Sequence, residues 1–206
     1  HGPVDLDSIT IPTFRDYRVA SPAASEAVSE AVDLIASAKT PMVMAGTALK
    51  WSEGGPALVD FLDSTNMPCF VNGMGRGQVP WDHPSFLSLT RRDALQEADV
   101  VVLAGTPLDF RMKYGGAIPA GAKIVQLDLD ETLIGQNRSA DVGLVGNLGS
   151  NFRAIMAELA DRGAVRDYAQ TAEELGYDHI LAFDHVLGAG LKTRPDWENP
   201  YSENDP

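Results

Sequence analysis

DVVVLAGT, residues 99–106, is the stretch that decides the fold. Its apolar run has no polar residue at alternate positions, which is the pattern of a strand buried on both faces. A second run of this kind, PMVMAGT at residues 41–47, also ends in Gly-Thr. Strands covered on both faces belong to parallel sheets, so the two runs predict an α/β domain.

Further strands and helices alternate along the chain around these two runs. Strand patterns occur in MPCFV, AKIVQLDLD and VGLVG, with a weaker one in FLSL at residues 86–89. Ser21 followed by Pro22 is typical of a helix start, and the last helix of the sheet domain is predicted over about residues 147–159. Because parallel neighbours need crossover connections, the chain predicts a doubly wound, mostly parallel, Rossmann-like sheet.

Ligand-binding residues in such a sheet lie just after the strands, where the strand order reverses. Glycines there allow close approach to backbone N–H groups, hydroxyls bind phosphate or carbonyl oxygens, and acidic side chains accept from ribose hydroxyls. We expect residues 105–111 to lie beside Gly46 and Thr47 and to form a nucleotide crevice with them. The candidate cofactor-binding residues are Gly46, Thr47, Asn72, Gly73, Met74, Gly105, Thr106, Pro107, Arg111, Asp128 and Asp130.

The known phosphate-binding motifs are missing from this edge of the predicted sheet. NGMGRG at residues 72–77 lacks the G-x-G-x-x-G spacing and follows the second strand, and no G-x-x-x-x-G-K-[ST] loop occurs. Taken alone, each glycine is better explained as a turn residue than as part of a binding site. Arg76, Arg91, Arg92 and Arg111 are candidates for phosphate contacts, although solvation at the surface explains any one of them equally well. The crevice is therefore predicted from several loops converging at one edge.

Composition argues against several other classes of protein. The 206 residues include 16 Lys and Arg against 29 Asp and Glu, and the net charge of −13 would repel a nucleic acid. No apolar run approaches the ~20 residues that span a bilayer, so no membrane partner is expected. The four histidines and one cysteine show no metal-ligand spacing, and no catalytic acid or base is evident in residues 1–162.

Two single residues have simple structural interpretations. Cys69 lies in a predicted strand as a buried apolar residue, and a lone cysteine forms no internal disulfide, which favours a reducing cytoplasm. His83, in PWDHPSF, is expected to be a loop residue that makes a structural hydrogen bond.

The order of these segments resembles the central domain of thiamine-diphosphate-dependent enzymes. The resemblance covers about residues 1–160 and rests on PMVMAGTALKW, PCFVNGMGRGQVPWDHP, DALQEADVVVLAGTPLDFRMKYG and AKIVQLDLD. It is strongest to the group of acetolactate synthase, oxalyl-CoA decarboxylase and 2-hydroxyacyl-CoA lyase. It implies a six-stranded parallel sheet with helices on both faces. It also implies FAD in some members, an ADP or coenzyme A nucleotide in others and no ligand in the rest, and Asp128 is expected to face the ribose or adenine end of FAD.

The same resemblance implies that catalysis needs parts outside this sequence. Members bind thiamine diphosphate and Mg²⁺ between two further domains, the pyrimidine- and diphosphate-binding domains, and the G-D-G motif of the second does not occur here. Residues 1–20 resemble the linker that leaves the first of them. We expect a chain that is inactive alone, with those domains as partners and a homo-oligomer as the full-length form. A structural and oligomerisation module without ligand is the alternative.

Residues 163–206 differ in character from the sheet domain predicted over residues 21–162. They contain AEELGYDHILAFDHVLG, which resembles the start of luciferase-like, deazaflavin-dependent oxidoreductases, where a helix leads to a strand ending in an Asp-His pair. Asp184 and His185 stand at that place, but one βα unit closes no barrel. We expect an incomplete C-terminal βα unit with a mobile tail, and a fragment of a flavin or deazaflavin oxidoreductase is a third candidate. Truncation near residue 162 should leave the thermal midpoint of the sheet domain nearly unchanged.

Overall fold

The computed structural model describes residues 21–174, with side chains through Gly163, together with Asp5 and Ile9. The chain divides into two compact units, His1–Gly163 and Ala164–Pro206. Asp184 and His185, singled out in the predicted C-terminal strand, lie outside the described residues. Among the helices that the structure describes, none is both long and apolar enough to cross a membrane.

A five-stranded parallel sheet forms the centre of the first unit. The strand order is β2-β1-β3-β4-β5, so the chain moves outward from β1 to β2 and then returns to the other side of β1. The order therefore reverses between β1 and β3, which pair in register at Val43 and Val102. This confirms the predicted doubly wound α/β fold. The strands are β1 Pro41–Ala45, β2 Cys69–Val71, β3 Val100–Ala104, β4 Lys123–Asp128 and β5 Val142–Val145.

Within residues 21–174, five α-helices accompany the sheet, with short 3₁₀ turns between some of the elements. Apolar side chains recur at helical spacing in the longer helices, as in α1, which buries Val28, Ala31, Val32 and Ile35. The 3₁₀ turns cover Gly73–Gly75, Phe110–Gly115 and Glu131–Leu133. The helices are α1 Ser25–Ser37, α2 Thr47–Trp51, α3 Gly55–Thr65, α4 Arg91–Glu97 and α5 Leu148–Glu174.

The core has two layers because successive strand residues point to opposite faces of the sheet. Val43 belongs to the larger layer, which α1, α3 and the first turns of α5 cover and where the Phe61 and Phe152 rings lie 5.1 Å apart. Met42 and Met44 belong to the smaller layer, which includes α4 and residues from the loop after β3. Burial on both faces explains why these strands are continuous apolar runs.

The weak strand pattern at residues 86–89 does not form a sixth strand. Phe86 makes only an isolated parallel bridge to Cys69, and Leu87 N donates to the Cys69 carbonyl at 3.0 Å. Leu89 is 94% exposed, so this segment lacks the apolar burial on both faces that holds the five strands in the sheet. The described sheet therefore has five strands where six were expected.

Two helix ends also differ from the sequence prediction. Ser21 does not cap a helix, because its carbonyl accepts from Asn147 N at 2.9 Å and Ala23 N donates to the Asn151 side chain at 2.7 Å. These bonds hold residues 21–24 against the start of α5, and α1 begins only at Ser25. At the other end, α5 continues past Leu159 to Glu174, since a glycine within a helical pattern lowers stability without forcing an end.

Candidate functional site

The carboxyl ends of β1 and β3 meet where the strand order reverses, and direct hydrogen bonds join the loops that follow them. Gly46 N donates to the Ala104 carbonyl at 2.8 Å, and Ala48 N donates to the Gly105 carbonyl at 3.2 Å. The Thr106 hydroxyl donates to the Met44 carbonyl at 2.9 Å. The structure thus brings residues 105–106 beside Gly46 and Thr47, as the two Gly-Thr strand ends predicted.

The glycines at this junction are required by the packing of the protein's own loops. A Cβ on Gly46 would lie against the Gly105 carbonyl oxygen and 2.7 Å from Thr106 Cα. Gly105 has φ +63°, and a Cβ there would be 2.6 Å from the Ala48 Cβ. Thr106 is fully buried, and its hydroxyl donates its hydrogen bond to the Met44 carbonyl, so it has no proton left to donate to a phosphate. Half-buried Pro107 continues this loop.

A third loop, after β2, packs on the same junction. Asn72 N donates to the Ala45 carbonyl at 2.8 Å, and Met74 N donates to the Thr47 hydroxyl oxygen at 3.3 Å. Gly73 has φ +53°, a left-handed conformation that favours glycine. The predicted residues 46–47, 72–74 and 105–106 therefore form one cluster, which we call the crevice.

Asn72 is the member of the crevice whose buried side-chain nitrogen has no partner among the described residues. Its side chain is 5% exposed, and its Nδ2 finds no hydrogen-bond partner within the part of the chain that the structure describes. Leaving a buried donor unpaired costs about 1–3 kcal/mol, so such groups point to a missing acceptor. A ligand oxygen in the crevice would supply one.

Arg111 lies at the rim of the crevice and is oriented by Asp109. Arg111 Nε donates to both carboxylate oxygens of Asp109, at 3.1 and 3.0 Å, and the backbone N of Arg111 donates to the same side chain. These bonds from Arg111 hold the pKa of Asp109 below its usual value. Arg111 Nη1 lies 3.9 Å from the position of a Cβ on Gly73. Asp109 was not among the predicted cofactor-binding residues, although Asp-x-Arg after a strand is a spacing that would have indicated it.

Asp128 and Asp130 follow β4 and are engaged in its turn. Asp128 Oδ1 accepts from Leu129 N at 2.8 Å and from Asp130 N at 3.3 Å, while Asp130 Oδ1 accepts from the backbone and hydroxyl of Thr132. Burial raises the pKa of Asp128, whose residue is 2% exposed. The structure places these carboxylates at the same edge of the sheet, one strand beyond β3.

His83 and Cys69 have the structural roles that the sequence predicted. His83 Nδ1 accepts from Ser85 N at 3.1 Å, which leaves Nε2 as the donor to the Asp63 carboxylate, also at 3.1 Å. Cys69 is fully buried, and burial raises its pKa to about 12. Among the described residues, no group of His, Cys, Asp and Glu is arranged to hold a metal ion. The described residues therefore do not by themselves fit the Mg²⁺ of thiamine diphosphate.

The fold and the crevice define a class of protein, a doubly wound α/β domain with its loops gathered at the strand-order reversal. Residues 28–155 match the family model described as "Thiamine pyrophosphate enzyme, central domain". The matched region includes the five described strands and all the candidate site residues. The chain belongs to this family of thiamine-diphosphate-dependent enzymes.

Relatives within the family catalyse different reactions. A probable acetolactate synthase of Mycobacterium bovis is 34% identical over 161 residues, which is 78% of this chain and 28% of that protein. The 2-hydroxyacyl-CoA lyase 2 of Caenorhabditis elegans is 38% identical over 117 residues, 56% of this chain and 18% of that protein. Oxalyl-CoA decarboxylase of Escherichia coli K12 is 30% identical, covering 65% of this chain and 24% of that protein. The chain thus spans less than a third of each of these relatives.

Two solved structures share the fold of this chain. Benzoylformate decarboxylase from Polynucleobacter necessarius superposes with a TM-score of 0.54 at 20% identity, over 72% of this chain and 30% of that one. A putative thiamin diphosphate-dependent enzyme from Mycobacterium smegmatis gives a TM-score of 0.55 at 21% identity, over 68% and 29%. At these identities the comparison supports the fold alone.

Proposed function

We propose that this chain is the nucleotide-binding central domain of an acetolactate synthase-like, thiamine-diphosphate-dependent enzyme. The nucleotide, FAD or an ADP or coenzyme A nucleotide, binds in the crevice. Thiamine diphosphate and Mg²⁺ bind to the pyrimidine- and diphosphate-binding domains of the parent enzyme, which acts as a homo-oligomer in the cytoplasm. Residues 21–162 alone therefore catalyse no carboligation or decarboxylation.

The observation that carries the ligand proposal is the unpaired amide of Asn72. The buried Nδ2 of Asn72 gains no hydrogen bond from the described residues, so an apolar side chain of similar size would fill the same space with no loss of stability. A phosphate or carbonyl oxygen of a nucleotide would accept from this Nδ2. The Thr47 hydroxyl, which accepts from Met74 N, still has its own proton to donate. The half-exposed Arg111 adds guanidinium N–H donors at the rim, where the Asp109 carboxylate offsets its charge.

A thermal-shift experiment with FAD, ADP and coenzyme A tests this proposal. Ligand at about 100 times its dissociation constant stabilises the native state by about 2.7 kcal/mol, which is a shift of several degrees. Asn72→Ala should leave the midpoint of the free protein unchanged or slightly higher, because it removes an unsatisfied donor. The same substitution should weaken binding of the effective ligand by about tenfold or more.

The matched control is Gln96→Ala, which removes an exposed amide on α4. It should alter neither the midpoint nor the binding. If Asn72→Ala lowers the stability of the free protein and leaves the affinity intact, Asn72 is a structural residue and the crevice proposal is wrong.

A scaffold and oligomerisation module without ligand is the second candidate, and the close packing of the loops favours it. Gly46, Gly105 and Thr106 are fully accounted for by contacts within the protein. The absence of any thermal shift with all three nucleotides would support this candidate.

A further inference from the structure

A second pocket lies beside the carboxyl end of β2. It has a volume of about 800 Å³ and opens between residues 76–81 and residues 86–92. Phe70, Val71 and Phe86 contribute its apolar lining. None of the residues that form the crevice lines it, whereas Arg76, Arg91 and Arg92, three of the four candidates for phosphate contacts, do.

Three arginines, Arg76, Arg91 and Arg92, line this pocket, and no acidic residue does. None of the three guanidinium groups forms an ion pair with any residue in the described range 21–163. The whole chain has a net charge of −13 and only 16 basic residues. A concentration of three unpaired guanidinium groups in so acidic a chain creates a local positive potential that attracts anions.

The pocket also presents an aromatic surface beside this charge. Trp81 lines it and is 85% exposed, although an indole ring gains free energy when it is covered. Leu89, also in the lining, is 94% exposed. Guanidinium groups match phosphate oxygens in a bidentate geometry, and an aromatic face accepts a planar or apolar group.

We propose that this pocket binds a small organic phosphate. The phosphate pairs with the guanidinium groups of Arg76, Arg91 and Arg92, and the organic group covers Trp81. The proposal is independent of the nucleotide crevice, because the two sites share no residue. Solvated surface arginines without a ligand are the competing explanation, and a small aryl phosphate separates the two.

The probe is phenyl phosphate, with inorganic phosphate and uncharged phenol as comparisons, titrated into the full chain. The indole N–H resonance of Trp81, assigned by its loss in Trp81→Phe, reports binding by nuclear magnetic resonance. Phenyl phosphate should shift this resonance with a saturable dependence, and rising salt should weaken the binding. Phenol should bind at least about tenfold more weakly, since it lacks the charge-assisted hydrogen bonds.

Substitutions then locate the site. The double variant Arg91→Gln, Arg92→Gln should reduce the affinity about tenfold or more, since each arginine offers a charged bond to phosphate. Arg153→Gln removes an exposed arginine of α5 and should bind as the unaltered protein does. Asn72→Ala, at the crevice, should also leave phenyl phosphate binding unchanged.

The exposed, unpaired arginines are not needed for folding, and circular dichroism checks that the double variant is native. An unshifted Trp81 resonance with the native protein would overturn the proposal. So would equal binding by the double variant, or an equal loss in Arg153→Gln, because either result would show that the arginines act only through net charge or not at all.

Discussion

A single methyl group at Gly46 tests how tightly the β1 and β3 loops are packed. Gly46→Ala would place a Cβ against the Gly105 carbonyl oxygen, 2.5 Å from Thr106 Oγ1 and 2.7 Å from Thr106 Cα. Real Cβ atoms essentially never approach other atoms closer than 3.0 Å, so the two loops must separate by at least about half an ångström. The atoms that this Cβ would meet belong to the backbone or to the fully buried Thr106, so no flexible side chain can move aside.

The cost follows from the bonds that hold the loops together. Separation by half an ångström stretches the bond from Ala48 N to Gly105 O, already 3.2 Å, beyond hydrogen-bond range. Losing one such bond costs about 0.5–1.5 kcal/mol, and overpacking adds about 1–3 kcal/mol. We therefore expect Gly46→Ala to lower the free energy of unfolding by about 2–4 kcal/mol, or the midpoint by about 5–15 °C.

Urea unfolding followed by circular dichroism measures this loss, with Gly121→Ala as the matched control. A Cβ on Gly121 would meet nothing within 4 Å, and the residue does not have a positive φ. Gly121→Ala should therefore be neutral or stabilising by up to about 1 kcal/mol, through the unfolded chain. Equal midpoints for the two variants would show that the loops are not packed as described.

Two further predictions concern buried groups that can ionise. Because burial raises the pKa of Asp128 above its ordinary value of 3.8, the unfolded carboxyl ionises first, and the native state loses stability as pH rises from 3.8 through the native pKa. Asp128→Asn keeps an Oδ1 for the turn but cannot ionise, so its stability relative to the unaltered protein should increase over this pH range. Urea unfolding from acid to neutral pH measures the difference. A difference that does not change with pH would contradict this. Burial raises the pKa of Cys69 to about 12, so its thiol should not react with a thiol reagent in the native protein at mildly alkaline pH. Unfolding in guanidinium chloride should expose one reactive thiol. If the thiol reacts as fast in the native protein as in the unfolded one, Cys69 is not buried.

The strands were predictable because two-sided burial leaves a direct mark on sequence. Val100–Ala104 is apolar at every position since both faces of β3 are covered, and its three successive valines favour a strand over a buried helix segment. Residues 86–89 had a weaker pattern and form only one bridge, because Leu87 and Leu89 remain exposed. The start of α1 could not be predicted, since hydrogen bonds to Asn147 and Asn151, more than a hundred residues away, keep Ser21 out of the helix.

The position of the crevice was likewise predictable, but its chemistry was not. Parallel strands bring their carboxyl ends to one edge, so the meeting of Gly46 with Gly105 follows from topology. Tertiary contacts decide which polar atoms remain free to bind a ligand. The Thr106 hydroxyl is consumed by the Met44 carbonyl, whereas the Asn72 amide is left unpaired, and no local pattern distinguishes these two side chains.

The polar groups still available to a ligand divide between two places along the sheet edge. Asn72 follows β2, and Arg111 reaches the neighbouring Gly73, whereas Asp128 ends β4, three strands from β2 and therefore about 14 Å away at about 4.8 Å per strand. A phosphate group bound beside Asn72 and Arg111 does not reach Asp128. A nucleotide bound there also has a ribose, which can contact Asp128. We expect Asp128→Asn to weaken binding of FAD or ADP by about tenfold, because a charged acceptor is lost, and to leave binding of inorganic pyrophosphate unchanged. Calorimetric titration of both ligands measures the difference. Equal losses for the nucleotide and for pyrophosphate would mean that Asp128 acts on the crevice through the fold, and an unchanged nucleotide affinity would remove it from the site.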